Sequence, residues 1–515
     1  MADEERNDLA TAAPGRLGRI LNGIEVLGNR LPHPALLFAL LAGLVLVLSA
    51  LAALAGVSAV HPVTGERIEA VNLLSGEGLR RMLAGTVGNF TGFAPLGTVL
   101  VAMLGIGVAE RAGLLDAVLR RVVLAAPERL LSFFVVLAGV LSSLAADSGY
   151  VVLIPLAALV FRAAGRHPVA GIAAAFAGVS AGFSANLLIG PLDAILAGLS
   201  TEAVRLVDPA WEVTAAGNWW FILVSTFLIA AVGTVVTERI TEPRLGTYRG
   251  GDEEAEPSRE IADEERRGLR AAALVTVVFL GLLLAALLPE EGVLRDPETG
   301  SVLRSPFISG IVVVVALWAA LAGIAYGRRA GTFRSGADVI EGMEATMGTM
   351  AAYLVLMFFA AQFVAWFGWT RLGVITAIGG SELLRALDLG TLPLLLAFIL
   401  VAASVNLVIG SASAKWAIMA PVFVPMLYLL GITPEATQMA YRVGDSVTNI
   451  VTPLMPYFAL VVAFVQQYDR RAGIGTIIAT MLPYSLALLL AWAALLTGWV
   501  LLDLPLGPGA PITVP

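Results

Sequence analysis

The chain has 515 residues, of which 58% are hydrophobic and 14% are charged, and its mean hydropathy is +0.86. This composition excludes a soluble globular protein, because several apolar runs exceed the roughly 18 residues that cross the hydrocarbon core of a bilayer. The formal net charge of −7 does not indicate a nucleic-acid partner, and the absence of cysteine excludes disulfides and thiolate chemistry. The sequence therefore predicts an all-α polytopic membrane protein.

Apolar runs separated by charged or helix-breaking residues predict nine transmembrane spans. They lie at 34–56, 88–109, 168–200, 218–240, 269–289, 306–327, 346–367, 437–465 and 475–502. With the N-terminus in the cytoplasm, this layout places 22 of the 32 basic residues inside and 8 outside, in agreement with the positive-inside rule. We therefore expect residues 1–33 to be a cytoplasmic segment, 241–268 a charged cytoplasmic linker and 503–515 an external tail.

Two further apolar stretches, 130–162 and 393–430, match no span. Each is too long for one crossing of a core about 30 Å thick and too short for two crossings with a turn. We therefore predict two re-entrant hairpins with polar tips, SSLAADSGY from Ser142 and SVNLVIGSASAKW from Ser404. Because backbone at such tips lacks helical hydrogen bonds, it must be buried in protein or line a wet cavity.

An internal repeat relates the two halves of the chain. At an offset of 266 residues, prolines and glycines of the first half coincide with those of the second, as Gly178 does with Gly444. The two halves and the single span that links them are residues 34–240, 306–502 and 269–289. Because one span separates the halves, the second is inverted in the membrane. Inverted repeats with broken helices near the midplane, predicted here at 168–200 and 437–465, are typical of alternating-access carriers.

Four polar clusters lie at membrane depth, where each ionisable side chain costs roughly 3 kcal/mol or more. The clusters are Asp147 with Ser148, Asn186 with Asp193, Ser411 to Trp416 with Ser413 and Lys415, and Arg442 with Asp445, Ser446 and Asn449. Arg442 can bind a carboxylate through two hydrogen bonds, and Trp416 can stack on an aromatic ring. Asp193 or Asp445 can carry a coupling proton or ligate sodium, and the sequence does not choose between these ions. The clusters therefore predict a binding site for a small anion.

The charged members of these clusters also have structural interpretations. Arg442 and Asp445 are three residues apart, so they can neutralise each other on one helix. Lys415 can extend towards the outer membrane surface without any functional role. Asp193 can be a surface residue near the outer end of its span.

The uncharged members have structural interpretations as well. Trp416 can anchor the chain at the membrane interface. The amides of Asn186 and Asn406 can cap helix ends at the breaks, which does not exclude contact with a ligand. Pro434 and Pro453 are expected to be hinges or helix breaks rather than ligand contacts.

Two other classes of function are open at this point. An anion channel lined by the same polar groups is the main alternative to a carrier, and an intramembrane hydrolase built on Asp147, Asp193 and Asp445 is a third. Paired hairpins in an inverted repeat favour two-sided gating over a fixed pore. The three histidines lie near segment ends, so a metal-dependent hydrolase lacks ligands, and we expect no enzymatic activity.

Several motifs resemble those of the p-aminobenzoyl-glutamate transporter (AbgT) family, and the likeness covers nearly the whole chain. The motifs are GTVLVAMLGIGVAERAGLLD from Gly97, DSGYVVLIPLAALVF from Asp147, AGFSANLLIGPLDAIL from Ala181, SASAKWAIMAPVFVPML from Ser411 and YRVGDSVTNIVTPLMPYFALV from Tyr441. The resemblance implies a homodimeric carrier of the bacterial inner membrane, with nine spans and two re-entrant hairpins in each protomer.

The resemblance also implies a function and a set of site residues. Members of the family are associated with uptake of p-aminobenzoyl-glutamate and with proton-driven export of sulfonamide antimetabolites, so the expected substrate is a small anionic aromatic molecule. No cofactor is expected except a sodium ion near Asn406 and Asp445. By resemblance, the functional positions are Asp193, Ser413, Trp416, Pro434, Arg442, Asp445 and Pro453, with Asn186 and Asn406 near the ion and ligand region.

Overall fold

The structure, a computed structural model, describes residues 33–60, 65–145, 149–248, 262–303 and 305–515. Within these ranges the chain is predominantly α-helical. Strands β1 (Ser58–Val60) and β2 (Arg67–Glu69) form a small antiparallel sheet in which Ala59 pairs with Ile68. Asp147 and Ser148, at the tip of the first predicted hairpin, lie outside the described residues, as do residues 1–32 of the predicted cytoplasmic segment.

The first half of the chain contains ten α-helices among its described residues. They are α1 (Pro34–Leu54), α2 (Gly76–Thr91), α3 (Ala94–Ala112), α4 (Leu114–Leu124), α5 (Leu131–Leu141), α6 (Ile154–Ala163), α7 (Pro168–Phe176), α8 (Pro191–Val204), α9 (Trp219–Val236) and α10 (Glu242–Leu245). Wider π-helical turns at Gly149–Leu153, Ala177–Ala181 and Thr237–Thr241 adjoin α6, α7 and α9, and 3₁₀ turns occur at Glu128–Leu130 and Ser142–Ala145.

The remaining described residues contain eleven α-helices. They are α11 (Asp263–Leu287), α12 (Pro306–Ser309), α13 (Ile311–Ala330), α14 (Gly336–Thr349), α15 (Ala351–Trp369), α16 (Leu372–Arg385), α17 (Thr391–Asn406), α18 (Ala412–Tyr428), α19 (Pro434–Thr448), α20 (Phe458–Gln466) and α21 (Ile474–Leu501). Helix α11 begins inside the predicted linker 241–268. Its first turn carries three acidic residues, which a helix N-terminus favours, so the helix starts before the apolar run does.

Seven helical segments in the described ranges are long and apolar enough to cross a bilayer, or eight if the bent pair of Leu114–Leu124 and Glu128–Leu144 is one span. The seven are Pro34–Leu54, Gly76–Ala112, Trp219–Leu245, Asp263–Leu287, Ile311–Ala330, Ala351–Trp369 and Ile474–Leu501. Each of them overlaps one of the predicted spans. The prediction of a multi-span helical membrane protein is therefore confirmed, whereas the count of nine spans stays a prediction.

The other two predicted spans, 168–200 and 437–465, are both interrupted. In the first, the helical chain stops at Ala181 and resumes at Pro191; in the second, it stops at Thr448 and resumes at Phe458. Neither segment therefore contains an uninterrupted helix of spanning length. These interruptions place non-helical backbone beside the polar side chains that the sequence singles out.

The two predicted hairpin stretches are also divided into short apolar helices. In 393–430, α17 ends at Asn406 and α18 starts at Ala412. With 17 residues, α18 is about 26 Å long, which is shorter than the hydrocarbon core of about 30 Å. In 130–162, α5 and α6 are separated by 3₁₀ and π turns. The re-entrant path of both stretches stays a prediction.

Two glycines allow the broken helices to pack closely on the hairpin helices. A Cβ atom on Gly178 would lie 2.3 Å from the carbonyl oxygen of Val136, and one on Gly444 would lie 2.2 Å from that of Ile399. Gly178 and Gly444 are separated by 266 residues, the offset of the predicted repeat. Only glycine permits such close approach of one backbone to another, so the same packing device occurs in both halves.

The two halves of the chain meet where α8 packs against α18 and α19. Local sequence starts each of these helices: Pro191 and Pro434 occupy the first turns of α8 and α19, and Ser411 caps α18 by accepting a hydrogen bond from the Ala414 amide. The C-terminal tail 503–515 lies against the start of α19, where the Thr433 amide donates to the Ile512 carbonyl at 3.0 Å.

Candidate functional site

Asp193 and Arg442 form a buried ion pair between the two halves of the chain. Arg442 Nη1 lies 2.6 Å from Asp193 Oδ1, and the side chains are only 2% and 6% exposed. Arg442 Nη2 also donates to the Ser184 carbonyl at 2.8 Å, and Asp193 Oδ2 accepts from the Gly190 amide at 2.6 Å. Two alternatives are therefore wrong: Arg442 is not neutralised by Asp445 on its own helix, and Asp193 is not a surface residue.

Lys415 forms a second buried ion pair, with Asp445. Its Nζ contacts both Asp445 Oδ1 and Asn406 Oδ1, and the Lys415 and Asp445 side chains are 0% and 1% exposed. The alternative that Lys415 extends to the outer membrane surface is therefore wrong. The contact joins the first turn of α18 to α19 and to the end of α17, so three helices meet at one cation.

The amide of Asn406 lies at the centre of a hydrogen-bond network. Its Nδ2 donates to the Asp445 carbonyl at 2.6 Å and lies 2.7 Å from Thr448 Oγ1 and 2.9 Å from Asn449 Oδ1. Asn449 Nδ2 in turn donates to the Ser180 carbonyl at 3.3 Å, which belongs to the π turn after α7. The network therefore connects the second pair of charges to the interrupted helix of the first half.

Trp416 is fully buried, so it is not an interfacial anchor. Its ring stacks on Tyr441, with 4.5 Å between the ring centroids, and its Nε1 donates to Ser200 Oγ at 3.0 Å. Tyr441 donates in turn to the Ala412 carbonyl at 2.6 Å. Trp416 therefore joins α18 to α8 and α19, and the hydroxyl of its stacking partner Tyr441 also contacts Asp445 Oδ1 at 3.2 Å.

A buried polar layer that the sequence analysis missed extends from Trp416 towards α9. Ser200 Oγ lies 2.7 Å from Gln438 Oε1, Gln438 Nε2 donates to Asn218 Oδ1 at 2.8 Å, and Asn218 Nδ2 donates to the Glu435 carbonyl at 2.9 Å. One feature of the sequence does indicate part of this layer. Gln438 precedes Arg442 by four residues, so the two side chains share a helix face.

The other predicted residues surround this centre. Asn186 donates to Ser143 Oγ at 2.7 Å and accepts from the Leu188 amide at 3.2 Å, so it holds the first interruption against the first hairpin stretch. Ser413 is half-buried in the first turn of α18. Pro434 starts α19, and Pro453 lies in the interruption between α19 and α20.

Several buried polar atoms at this junction make no hydrogen bond within the described part of the chain. They are Ser180 Oγ, Ser184 Oγ, Arg442 Nε, Asp445 Oδ2 and Ser446 Oγ. Buried polar groups are normally hydrogen-bonded, because an unmet donor or acceptor costs about 1–3 kcal/mol. The set contains three hydroxyls, one guanidinium N–H and one carboxylate oxygen, and these groups can bind a polar molecule or an ion.

A separate cleft lies at the other end of α7. It has a volume of about 430 Å³, and its lining includes His167, Tyr248, Tyr468 and Asp469. Partial burial lowers the pKa of His167 below its ordinary value, and the negative charge of Asp469 opposes that shift. This cleft contains none of the predicted site residues.

Comparison with known proteins gives the family of the chain. A sequence profile of the AbgT transporter family matches residues 19–514. The chain belongs to this family. The p-aminobenzoyl-glutamate transport protein of Escherichia coli (strain K12), a curated relative, is 39% identical over 492 residues, which are 96% of each chain.

Two solved structures resemble the fold described above. The YdaH transporter of Alcanivorax borkumensis is 55% identical, with a TM-score of 0.89 over 93% of this chain and 100% of that one. MtrF of Neisseria gonorrhoeae, described as illuminating a class of antimetabolite efflux pumps, is 48% identical, with a TM-score of 0.91 over 96% of this chain and 100% of that one. The predicted resemblance to the AbgT family is therefore confirmed.

Proposed function

We propose that this protein is an ion-coupled secondary transporter that moves p-aminobenzoyl-glutamate, sulfonamide antimetabolites, or both, by alternating access. The curated E. coli relative is a p-aminobenzoyl-glutamate transport protein, and MtrF is described with antimetabolite efflux pumps. The observation that carries the proposal is the buried Asp193–Arg442 pair, which joins the two halves of the chain at their interrupted helices.

The pair suggests how an anionic substrate and an ion are coupled. Arg442 already binds one carboxylate, that of Asp193, so a substrate carboxylate must compete with Asp193 for the guanidinium. A proton on Asp193 removes the competing negative charge and favours binding of the substrate. Binding of the carboxylate substrate and protonation of Asp193 therefore support each other, as uptake of the substrate together with a proton requires.

The unbonded polar atoms beside Arg442 suit the rest of such a substrate. Ser180, Ser184 and Ser446 offer hydroxyls on both sides of the junction between α7 and α19. The stacked rings of Trp416 and Tyr441 belong to the same junction, and an aromatic substrate ring can extend such a stack. An anion channel is a weaker hypothesis, because the charged side chains at the junction are paired with each other and buried instead of lining an open path.

We also propose the finer architecture implied by the family: nine spans, two re-entrant hairpins in an inverted repeat, and a homodimer in the bacterial inner membrane with a cytoplasmic N-terminus. The distribution of basic residues supports this orientation. The short, interrupted helices of 130–162 and 393–430 support the hairpins. Movement of the hairpins and broken helices against the remaining spans would expose the site to each side in turn.

The test is binding of p-aminobenzoyl-glutamate to the purified protein as a function of pH. Wild-type affinity should fall as the pH rises, because in the proposed mechanism binding of the substrate is coupled to binding of a proton. In Asp193→Asn, which lacks the competing charge at every pH, affinity should be nearly independent of pH. An equally steep pH dependence in wild type and variant would contradict the proposed role of Asp193.

A further inference from the structure

Two of the oxygen atoms expected to hold sodium, Asn406 Oδ1 and Asp445 Oδ1, already bind a cation that belongs to the chain. The family resemblance implies a sodium ion near Asn406 and Asp445, and the oxygens available there are Asn406 Oδ1 and the Asp445 carboxylate. The Lys415 ammonium contacts both Asn406 Oδ1 and Asp445 Oδ1. Of these oxygens only Asp445 Oδ2 makes no hydrogen bond within the described residues, and one free oxygen beside an ammonium does not form a sodium site, so the residues present do not fit a sodium ion while the ammonium is in place.

The hydrogen bonds of Asn406 fix this arrangement. Its Nδ2 lies within 2.9 Å of three acceptors, namely the Asp445 carbonyl, Thr448 Oγ1 and Asn449 Oδ1. Rotating the amide by 180° would face Nδ2 towards the Lys415 ammonium and Oδ1 towards those three acceptors. The network therefore keeps Oδ1 directed at the cation position, and the lysine occupies that position.

The balance of charge also excludes a second cation. Asp445 supplies one negative charge to this centre, and Lys415 neutralises it. Asp193 is already paired with Arg442, so it does not serve the Lys415 centre. A sodium ion added to the same oxygens would give two positive charges for one buried carboxylate, and like charges this close repel strongly where water is excluded.

The position of Lys415 on its helix is energetically unfavourable for a positive charge. Lys415 lies in the first turn of α18, where the helix dipole disfavours a positive charge. It is also the only lysine in a chain whose 32 basic residues are otherwise arginine. An ammonium is a compact, point-like cation with three donors, so it replaces a monovalent metal ion better than a planar guanidinium does.

We propose that Lys415 is a built-in cation that takes the place of sodium, so that the transport cycle of this protein requires no sodium. This inference rests on the proposed ion-coupled transport and selects its ion: of the two coupling ions that the sequence leaves open, the proton remains. Lys415 is in this account a specificity-determining residue, because its charge decides which ion the centre accepts.

The experiment measures sodium binding without transport. The purified wild type and Lys415→Met, which keeps the length of the side chain and removes its charge, are melted in sodium chloride and in choline chloride at equal ionic strength. Wild-type Tm should be the same in both salts. The Tm of Lys415→Met should rise with sodium, saturably and by at least about 2 °C, because sodium then takes the ammonium position.

Two further variants make the result specific. Lys415→Met combined with Asp445→Asn should lose the sodium effect, because the carboxylate ligand is gone. Arg267→Met, which removes an exposed charge paired with Glu264, should behave like the wild type in both salts. A saturable sodium effect on the wild type, or none on folded Lys415→Met, overturns the proposal.

A second measurement decides the question if Lys415→Met does not fold. Wild-type uptake of p-aminobenzoyl-glutamate into proteoliposomes should be unchanged when choline replaces all sodium, and a tenfold or greater loss would overturn the proposal. The experiments distinguish failure of the proposed function from failure of the proposed role of Lys415. Absence of uptake in both salts contradicts the proposed function, whereas radioactive sodium retained by the wild-type protein contradicts only the role of Lys415.

Discussion

Removing one partner of the Asp193–Arg442 pair should destabilise the protein more than removing both. The 2.6 Å contact joins two side chains that are 2% and 6% exposed, so either Asp193→Asn or Arg442→Gln leaves a buried charge without its counterion. Breaking a buried pair in this way costs about 3–5 kcal/mol. The double variant contains neither charge, and we expect it to lose no more stability than either single variant.

The assay is a double-mutant cycle on the detergent-purified protein, with the Tm of the wild type, both single variants and the double variant measured under one condition. Arg205→Gln is the matched control. Its side chain is 42% exposed and pairs with Glu202, three residues earlier at the end of α8, so its loss should cost no more than about 1 kcal/mol. If the double variant lost the sum of the two single effects, the two side chains would not be coupled and the central contact would be wrong.

Three further predictions test the surroundings of this pair. Trp416→Phe keeps the stack on Tyr441 and loses only one N–H donor, so it should weaken binding of p-aminobenzoyl-glutamate less than Trp416→Ala does. Equilibrium dialysis measures both affinities, and an equal loss of affinity in the two variants would show that the ring is not involved. Gly444→Ala would place a Cβ 2.2 Å from a carbonyl oxygen and should lower the free energy of unfolding by about 1–3 kcal/mol, whereas the Cβ of Gly379→Ala meets nothing within 4 Å and should be tolerated. The Tm of Gly444→Ala should therefore be the lower of the two, and equal Tm values would contradict the close packing. Ile512→Asp puts a charge at a buried position of the C-terminal tail and should lower the Tm and speed proteolysis of the tail; a wild-type Tm and cleavage rate would show that the tail does not support α19.

Much of the helical layout is readable from the sequence, because a spanning helix must present a long apolar run and the ends of such runs are marked by charged or helix-breaking residues. The interruptions were likewise readable from Asn186, Asn406 and the prolines near them. The sequence also named both aspartates, the arginine and the lysine of the junction, since each is an ionisable group inside an apolar segment.

The counterions of Arg442 and Lys415 could not be predicted from the sequence. Arg442 and Asp193 are 249 residues apart, so local spacing favoured Asp445, only three residues away, as the counterion. The burial of Lys415 depends on Asn406 and Asp445, which belong to two other helices. Single-helix reasoning therefore could not distinguish a lysine that extends to the surface from one held by a buried carboxylate.

The layer of Ser200, Gln438 and Asn218 was missed for a different reason. These residues carry no charge and form no motif, and serine and asparagine are common in membrane helices as packing or capping residues. Their shared position emerges only when α8, α9 and α19 are packed together.

The most direct test of the account is uptake of labelled p-aminobenzoyl-glutamate into proteoliposomes under an imposed proton gradient or an imposed sodium gradient, with wild type compared with Asp193→Ala. The account predicts saturable uptake that the proton gradient drives, that the sodium gradient leaves unchanged and that Asp193→Ala abolishes at equal protein insertion. Uptake that follows the sodium gradient, or a flux that follows neither gradient and survives in Asp193→Ala, would contradict it.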